Sequence, residues 1–225
     1  MNKTQKLVII GAGETAEMAY EYFSYDSDYE VCAFSVEKEF MSETSLGGIP
    51  IIPFEDLELY YRPDQFETFV ALGYGKLNRS RSRLYTACKE KGYTLAKYIS
   101  SKAFVWRNVT IGDNCFILEN NVLQYQVRIG NNVVLWSGNH IGHRSVIGNN
   151  CFLSSHVIIS GYCSVGDNCF FGVNSCVGDN VKIAEDCVVG AGAVILNDTE
   201  LGKIYQGNPA IPARVNSYRV FNVRS

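Results

Sequence analysis

The chain has 225 residues, 47% hydrophobic and 19% charged, enough for one or two domains with a proper core. A formal net charge of −3 leaves no electrostatic footprint for nucleic acid, and no apolar run approaches the ~18 residues that span a bilayer. Only Leu7 to Ile10 follow the polar start, too few for a secretory signal, so a cytoplasmic protein with no membrane partner is expected.

In chain order, Lys6 to Ile10 reads as a buried strand. Gly11-Ala12-Gly13-Glu14-Thr15-Ala16 follows, then an amphipathic helix to about Phe23. Val31 to Phe34 and Thr68 to Leu72 read as further strands, and Asn78 to Gly92 as a helix that Gly92 closes. This alternation over residues 1–100 predicts a small Rossmann-like α/β domain. A Gly-x-Gly-x-x-Ala turn before a helix offers backbone N–H groups to a phosphate. Ser35 stands where a dinucleotide fold would carry the ribose-binding acid, with Glu37 two residues on, so NAD is disfavoured. Two readings remain: glycines needed for packing alone, or a nucleotide attached to a sugar.

From Val105 the period changes. Every sixth residue to Ile195 is Ile, Leu or Val, except Phe171. Six is neither a helical period nor that of a two-faced strand. It suits a triangular coil of three short strands, eighteen residues per turn, with one aliphatic side chain per strand on the axis. The position two before each aliphatic is mostly small and holds five of the eight cysteines: Cys115, Cys151, Cys163, Cys169 and Cys187. With no Cys-x-x-Cys pair, these read as buried hydrophobes, not zinc ligands. The column Asn114, Asn132, Asn150, Asn168, Asp186 reads as a ladder of turn residues.

The repeat, its ending Val189-Gly190-Ala191-Gly192-Ala193-Val194-Ile195 and the later Gly207-Asn208-Pro209-Ala210 resemble the hexapeptide-repeat acyltransferases. That resemblance implies a left-handed parallel β-helix over residues 101–200, an exit loop and tail over 201–225, and a homotrimer. A short Rossmann-like domain fused to such a helix resembles the NeuD and PglD type of sugar acyltransferase. The segments Ala71-Leu72-Gly73-Tyr74-Gly75-Lys76-Leu77-Asn78 and Ile99-Ser100-Ser101 look like that family's domain junction. The resemblance implies an acetyl-CoA-dependent N-acetyltransferase acting on a nucleotide-linked amino sugar, with no metal. Gly11, Gly13, Glu14, Thr15, Ser35, Gly73, Lys76 and His156 would hold that substrate. Gly161, Gly190, Ala191, Asn208 and Pro209 would hold coenzyme A.

All three histidines, His140, His143 and His156, lie within seventeen residues and outside the two inward phases of the repeat. Imidazole suits proton transfer near neutral pH, and acyl transfer to an amine needs such a base and a donor for the oxyanion. His143-Arg144-Ser145-Val146-Ile147-Gly148 resembles the family's catalytic His-x-x-Val-Ile-Gly segment, which gives His143 the base and Gly161, eighteen residues on, the oxyanion amide. Two positions depart from the family. Arg144 stands where an acid often polarises the histidine, and Phe152 where a second histidine sits near the acyl group. His140 or His156 are the candidates to take over those roles, with Asn139 a candidate orienter. Sugar O-acetylation, a zinc-dependent γ-carbonic-anhydrase-like lyase and a non-catalytic nucleotide-sugar-binding scaffold are the alternatives.

Overall fold

The computed structural model describes residues 3–207. The N-terminal unit runs β1 (Gln5–Ile10), α1 (Glu14–Tyr25), β2 (Tyr29–Val36), β3 (Ser45–Leu46), β4 (Ile49–Pro53), α2 (Leu57–Tyr60), β5 (Glu67–Val70) and α3 (Arg79–Glu90). Its sheet has the order β3-β4-β2-β1-β5, parallel except for the β3–β4 pair. Leu7, Val8, Ile9 and Ile10 are buried on both faces, as a central parallel strand must be. The short hairpin Ser45–Pro53, turning on Gly47 and Gly48, carries too little periodicity to be foreseen.

The remainder is a left-handed parallel β-helix of two-residue strands in three sheets. One face stacks Tyr98–Ile99, Phe116–Ile117, Val134–Leu135, Phe152–Leu153, Phe170–Phe171 and Val188–Val189. The N-terminal domain lies on it, so this is the covered face: Phe23, Phe69 and Phe116 share one core. The second, or histidine, face stacks Phe104–Val105, Val122–Leu123, His140–Ile141, Ile158–Ile159, Cys176–Val177 and Val194–Ile195. The third, or arginine, face stacks Thr110–Ile111, Arg128–Ile129, Val146–Ile147, Ser164–Val165 and Lys182–Ile183. Ile129 pairs with Ile147 and Ile147 with Val165, so the predicted column is vertical and buried. The prism continues to Tyr205, inside the expected exit segment, where Ile204 pairs with Val188 after a coil two residues short.

Each corner holds one residue at left-handed φ, recurring every sixth position from Asn114 to Gly192. That conformation costs an ordinary side chain about 1–2 kcal/mol and suits Asn, Asp and Gly. The five inward cysteines sit just after such turns, each thiol facing a carbonyl fifteen residues on or thereabouts, as Cys163 Sγ does Gly178 O at 3.0 Å. Burial pushes the Cys115 thiol up to about 12.

The asparagine ladder forms as expected: Asn114 Nδ2 donates to Asn132 Oδ1 at 2.7 Å, and Asn132 Nδ2 to Asn150 Oδ1 at 2.8 Å. It is also the seam between domains. Helix α3, about 18 Å long, lies along this corner, matching about four coil steps of 4.8 Å. Tyr85 and Lys89 reach Asp113, Asn78 reaches the Asn168 and Cys169 carbonyls, and Arg79 reaches Asp186. Between them Arg81, 1% exposed, donates to the carbonyls of Gly73, Asn132, Asn150 and Cys151 and to Asn78 and Asn132 Oδ1. Burial lowers its pKa to about 10, and among the described residues no carboxylate bonds to it.

Replacing Arg81 by Met strands several buried carbonyls and is expected to cost roughly 3–5 kcal/mol, read by denaturant unfolding. A thiol reagent should leave the six buried cysteines unmodified in the native protein and titrate them only after unfolding.

Candidate active site

The turn from β1 into α1 builds the first half of the site. Gly11 (φ 120°) passes so close to β5 that an added Cβ would lie 2.9 Å from Ala71 O. Gly13 precedes α1 and has open space where a side chain would go. A cavity of about 540 Å³ opens there, and Gly11, Gly13, Glu14, Thr15, Ser35, Gly73 and Lys76 all line it. Ser35 is fully buried and its Oγ has no hydrogen-bond partner among the described residues, so the cavity wall carries an unused donor and acceptor.

Arg79, Arg83 and Phe40 are among the lining residues that escaped the sequence reading. Arg83 forks onto Glu37 with contacts of 2.7 and 2.6 Å, and the ion pair holds the Glu37 carboxyl below the usual carboxylate range. Phe40 projects from the turn after β2, 64% exposed. The spacing Arg79, Arg81, Arg83 was the available signal. On a helix, residues four apart share a face and the one between them points elsewhere; here Arg79 and Arg83 line the cavity while Arg81 enters the seam.

Glu14, Thr15 and Gly73 also line a second cleft, of about 310 Å³, against the β-helix. Its floor is aromatic: Tyr74 packs at 5.1 Å on Phe152 and 4.7 Å on Phe170, with Trp136 beside them. Ser154, Ser155 and Val173 complete it. These belong to the first corner, between the covered and histidine faces.

The histidines are spread along the prism. His156 is exposed at the first corner at φ 59°, its ring against Gly138, where a Cβ would lie 2.6 Å from the imidazole. It lines neither cavity. His140 lies on the flat of the histidine face, half-buried, in register with Val122 and Ile158. His143 stands exposed at the second corner, between the histidine and arginine faces. Its ring lies over Gly161, where a Cβ would be 2.5 Å from Cε1, and Tyr162 meets it edge-on at 5.1 Å. Its backbone N–H donates to Gln124 Oε1 at 3.0 Å. Three imidazoles at three places make no shared ligand set, and among the described residues no group of three metal-ligating side chains forms.

Two expectations need correction. Asn139 occupies the inward slot two before Ile141 and is fully buried. Its Nδ2 donates to Trp136 O and its Oδ1 accepts from Val157 N–H, both at 2.7 Å, so it holds the corner and orients no histidine. Gly161 sits under His143 as expected, but its N–H donates to Asp179 Oδ1 at 2.8 Å. That amide is therefore not a free oxyanion donor in this conformation. Gly190 and Ala191 close the first corner of a late coil, with Gly190 N–H donating to Tyr205 O. Asn208 and Pro209 lie outside the described residues.

Residues 108–143, 126–161 and 162–197 match the bacterial transferase hexapeptide family (six repeats). No curated protein sequence matches the chain. Among solved structures, the acetyltransferase domain of PglB from Neisseria gonorrhoeae is 25% identical, with a TM-score of 0.81 over 93% of this chain and 100% of that one. The same domain in complex with acetyl coenzyme A gives 0.80. A histidine-to-asparagine variant of perosamine N-acetyltransferase from Caulobacter crescentus, in complex with CoA and GDP-perosamine, is 25% identical with a TM-score of 0.78 over 90% of this chain and 93% of that one. The hexapeptide match and these structural likenesses, over a Rossmann-like domain seated on the coils, together support a hexapeptide-repeat sugar N-acetyltransferase.

Proposed function

We propose that the protein transfers an acetyl group from acetyl-CoA to the amine of a nucleotide-linked amino sugar, in the cytoplasm, as a homotrimer. The observation that carries this reading is that the cavity at the α1 N-terminus and the aromatic cleft on the first corner adjoin, sharing Glu14, Thr15 and Gly73 as walls. A nucleoside diphosphate suits the first part, where α1 presents its N–H groups and partial positive charge. A sugar ring suits the second, where Trp136 and Phe152 offer apolar faces. The C. crescentus relative, which binds CoA and GDP-perosamine, supports both.

The base is His143, yet it lines neither cavity and stands across the histidine face from the cleft. One chain thus holds the parts of two half-sites. The histidine face itself is apolar and exposed, with Phe104 at 52%, Ile158 at 47% and Val194 at 62%. Burying it against copies of itself about a threefold axis brings the first corner of one protomer to the second corner of the next. Seven residues of an eighteen-residue coil rise only about 2 Å, so His143 of one chain comes level with Trp136 of the other. Coenzyme A would run up the same groove past Gly190, Ala191, Asn208 and Pro209. In the reaction the sugar nitrogen attacks the thioester carbon, His143 takes the proton, and the coenzyme A thiolate leaves. The Gly161 N–H joins the oxyanion once the exposed Asp179 carboxylate turns away.

His143→Ala should lower kcat about 10²–10⁴-fold in a coenzyme A release assay with a panel of nucleotide amino sugars; wild-type turnover would sink the assignment. Gly161→Ala, whose methyl meets the His143 imidazole first, should cost tenfold or more in kcat with little change in unfolding stability, because a roughly 1 Å displacement of a catalytic group has that effect. Co-assembling His143→Ala with a Gly13→Trp chain, whose indole fills the cavity, should restore about a quarter of the sites in randomly mixed trimers. No recovery would show that each site is made by a single chain.

A further inference from the structure

On the far side of the His143 corner lies a second concavity, of about 460 Å³, lined by Asn108, Thr110, Gln126, Arg128, Arg144 and Tyr162. It is separate from the nucleotide cavity and the aromatic cleft. Its lining contains two guanidiniums and no carboxylate, in a chain whose net charge is −3. Among the described residues neither Arg128 nor Arg144 has a side-chain hydrogen bond or ion pair, whereas Arg62, Arg79 and Arg83 each have a carboxylate. Arg144 is held by ring faces: its Cζ lies 5.6 Å from the Tyr125 centroid and 5.8 Å from that of Tyr162. Stacking of this kind fixes the plane of a guanidinium and leaves its edge N–H groups for a ligand. Asn108 Oδ1 is taken by the Gln126 N–H, which leaves its amide nitrogen as a further donor.

The backbone singles out the same residues. Of the fourteen left-handed corners from Asn114 to Gly192, ten hold Asn, Asp or Gly. The four that do not are Gln126, Arg144, His156 and Tyr162, at φ between 56° and 61°. Three of these four line this groove, the three stacked at successive levels of one corner. Side chains that stand at left-handed φ, where asparagine folds more readily, point to a place where the side chain itself is used.

We infer that Arg128 and Arg144 form an anion site for a phosphate ester, and that the phosphate is the one carried by the acceptor sugar, bound mainly by the neighbouring protomer. This rests on the two-chain reading above. Guanidinium edges and amide donors match phosphate oxygens. Position identifies the source. Arg144 follows His143 directly in the chain, and Tyr162 touches the imidazole. In a nucleotide sugar the amine and the phosphate are separated by one sugar ring. In coenzyme A the thioester and the phosphates are separated by the whole pantetheine arm, too far for a group beside the base. Arg144, placed where relatives of this type often carry an acid, thereby acts on the substrate's charge instead of on the histidine.

The test uses the full-length protein with Arg128→Gln, Arg144→Gln and the double variant, and Lys182→Gln as a charge-matched control on the same face outside the groove. Titration with UDP, GDP, dTDP, CMP and coenzyme A is followed by calorimetry, and oligomer mass by light scattering. The double variant should bind the preferred nucleoside diphosphate at least tenfold more weakly, bind coenzyme A within twofold of wild type, and keep its mass; Lys182→Gln should change none of these. Unchanged nucleoside diphosphate affinity, or a loss confined to coenzyme A, overturns the inference. A wild-type protein that acetylates nucleotide amino sugars while the variants bind normally refutes this site alone. A wild-type protein that binds none of UDP, GDP, dTDP and CMP refutes the site and the proposed function together.

Discussion

The constraint on which the β-helix depends is its corner. Three flat two-residue strands close into a triangle only if one residue between each pair turns through left-handed φ, a region closed by Cβ sterics to most side chains. Asparagine meets the demand and adds a side-chain amide, so stacking the corners produces the ladder Asn114–Asn132–Asn150. From that ladder follow the exposed carbonyls of the same corner, and from those the buried, carboxylate-free Arg81 that gathers them. The seam between domains is thus a consequence of how the coil turns.

The seam in turn shapes the site. Arg81 accepts nothing and donates to Gly73 O as well as to the coil, so it ties the cavity wall to the prism. Tyr74, one residue on, lies on Phe152 and Phe170. The result is a cleft between two domains whose floor is hydrophobic and whose mouth meets a helix N-terminus. Such a boundary, polar on one wall and aromatic on the other, suits a ligand with a charged end and a ring.

The two histidine corners reveal how the repeat accommodates chemistry. A coil offers every outward residue a neighbour eighteen positions away, directly above or below. At His143 and His156 that neighbour is glycine, and in both cases a Cβ would collide with the ring. Gly161 has no positive φ to require it. Its lack of a side chain is explained by the imidazole beside it.

The period of six, read on Ile129, Ile147 and Val165, was sufficient to determine the coil, its inward columns and the outward placement of all three histidines, because a solenoid's contacts are set by fixed offsets along the chain. The glycine turn before α1 marked the cavity for the same local reason. What the sequence alone could not decide were the contacts between segments of unrelated period: Arg81 on the ladder, Arg83 on Glu37, and the meeting of Tyr74 with Phe152. Asn139 was misjudged because its neighbours in sequence are catalytic candidates, while its phase, two before Ile141, points inward. The Gly161 amide was judged by position alone, and only the fold shows Asp179 from the next coil holding it. Spacing within the repeat specifies which residues share a column; how a second domain packs against that column depends on long-range burial and hydrogen bonding, which no single stretch of sequence encodes.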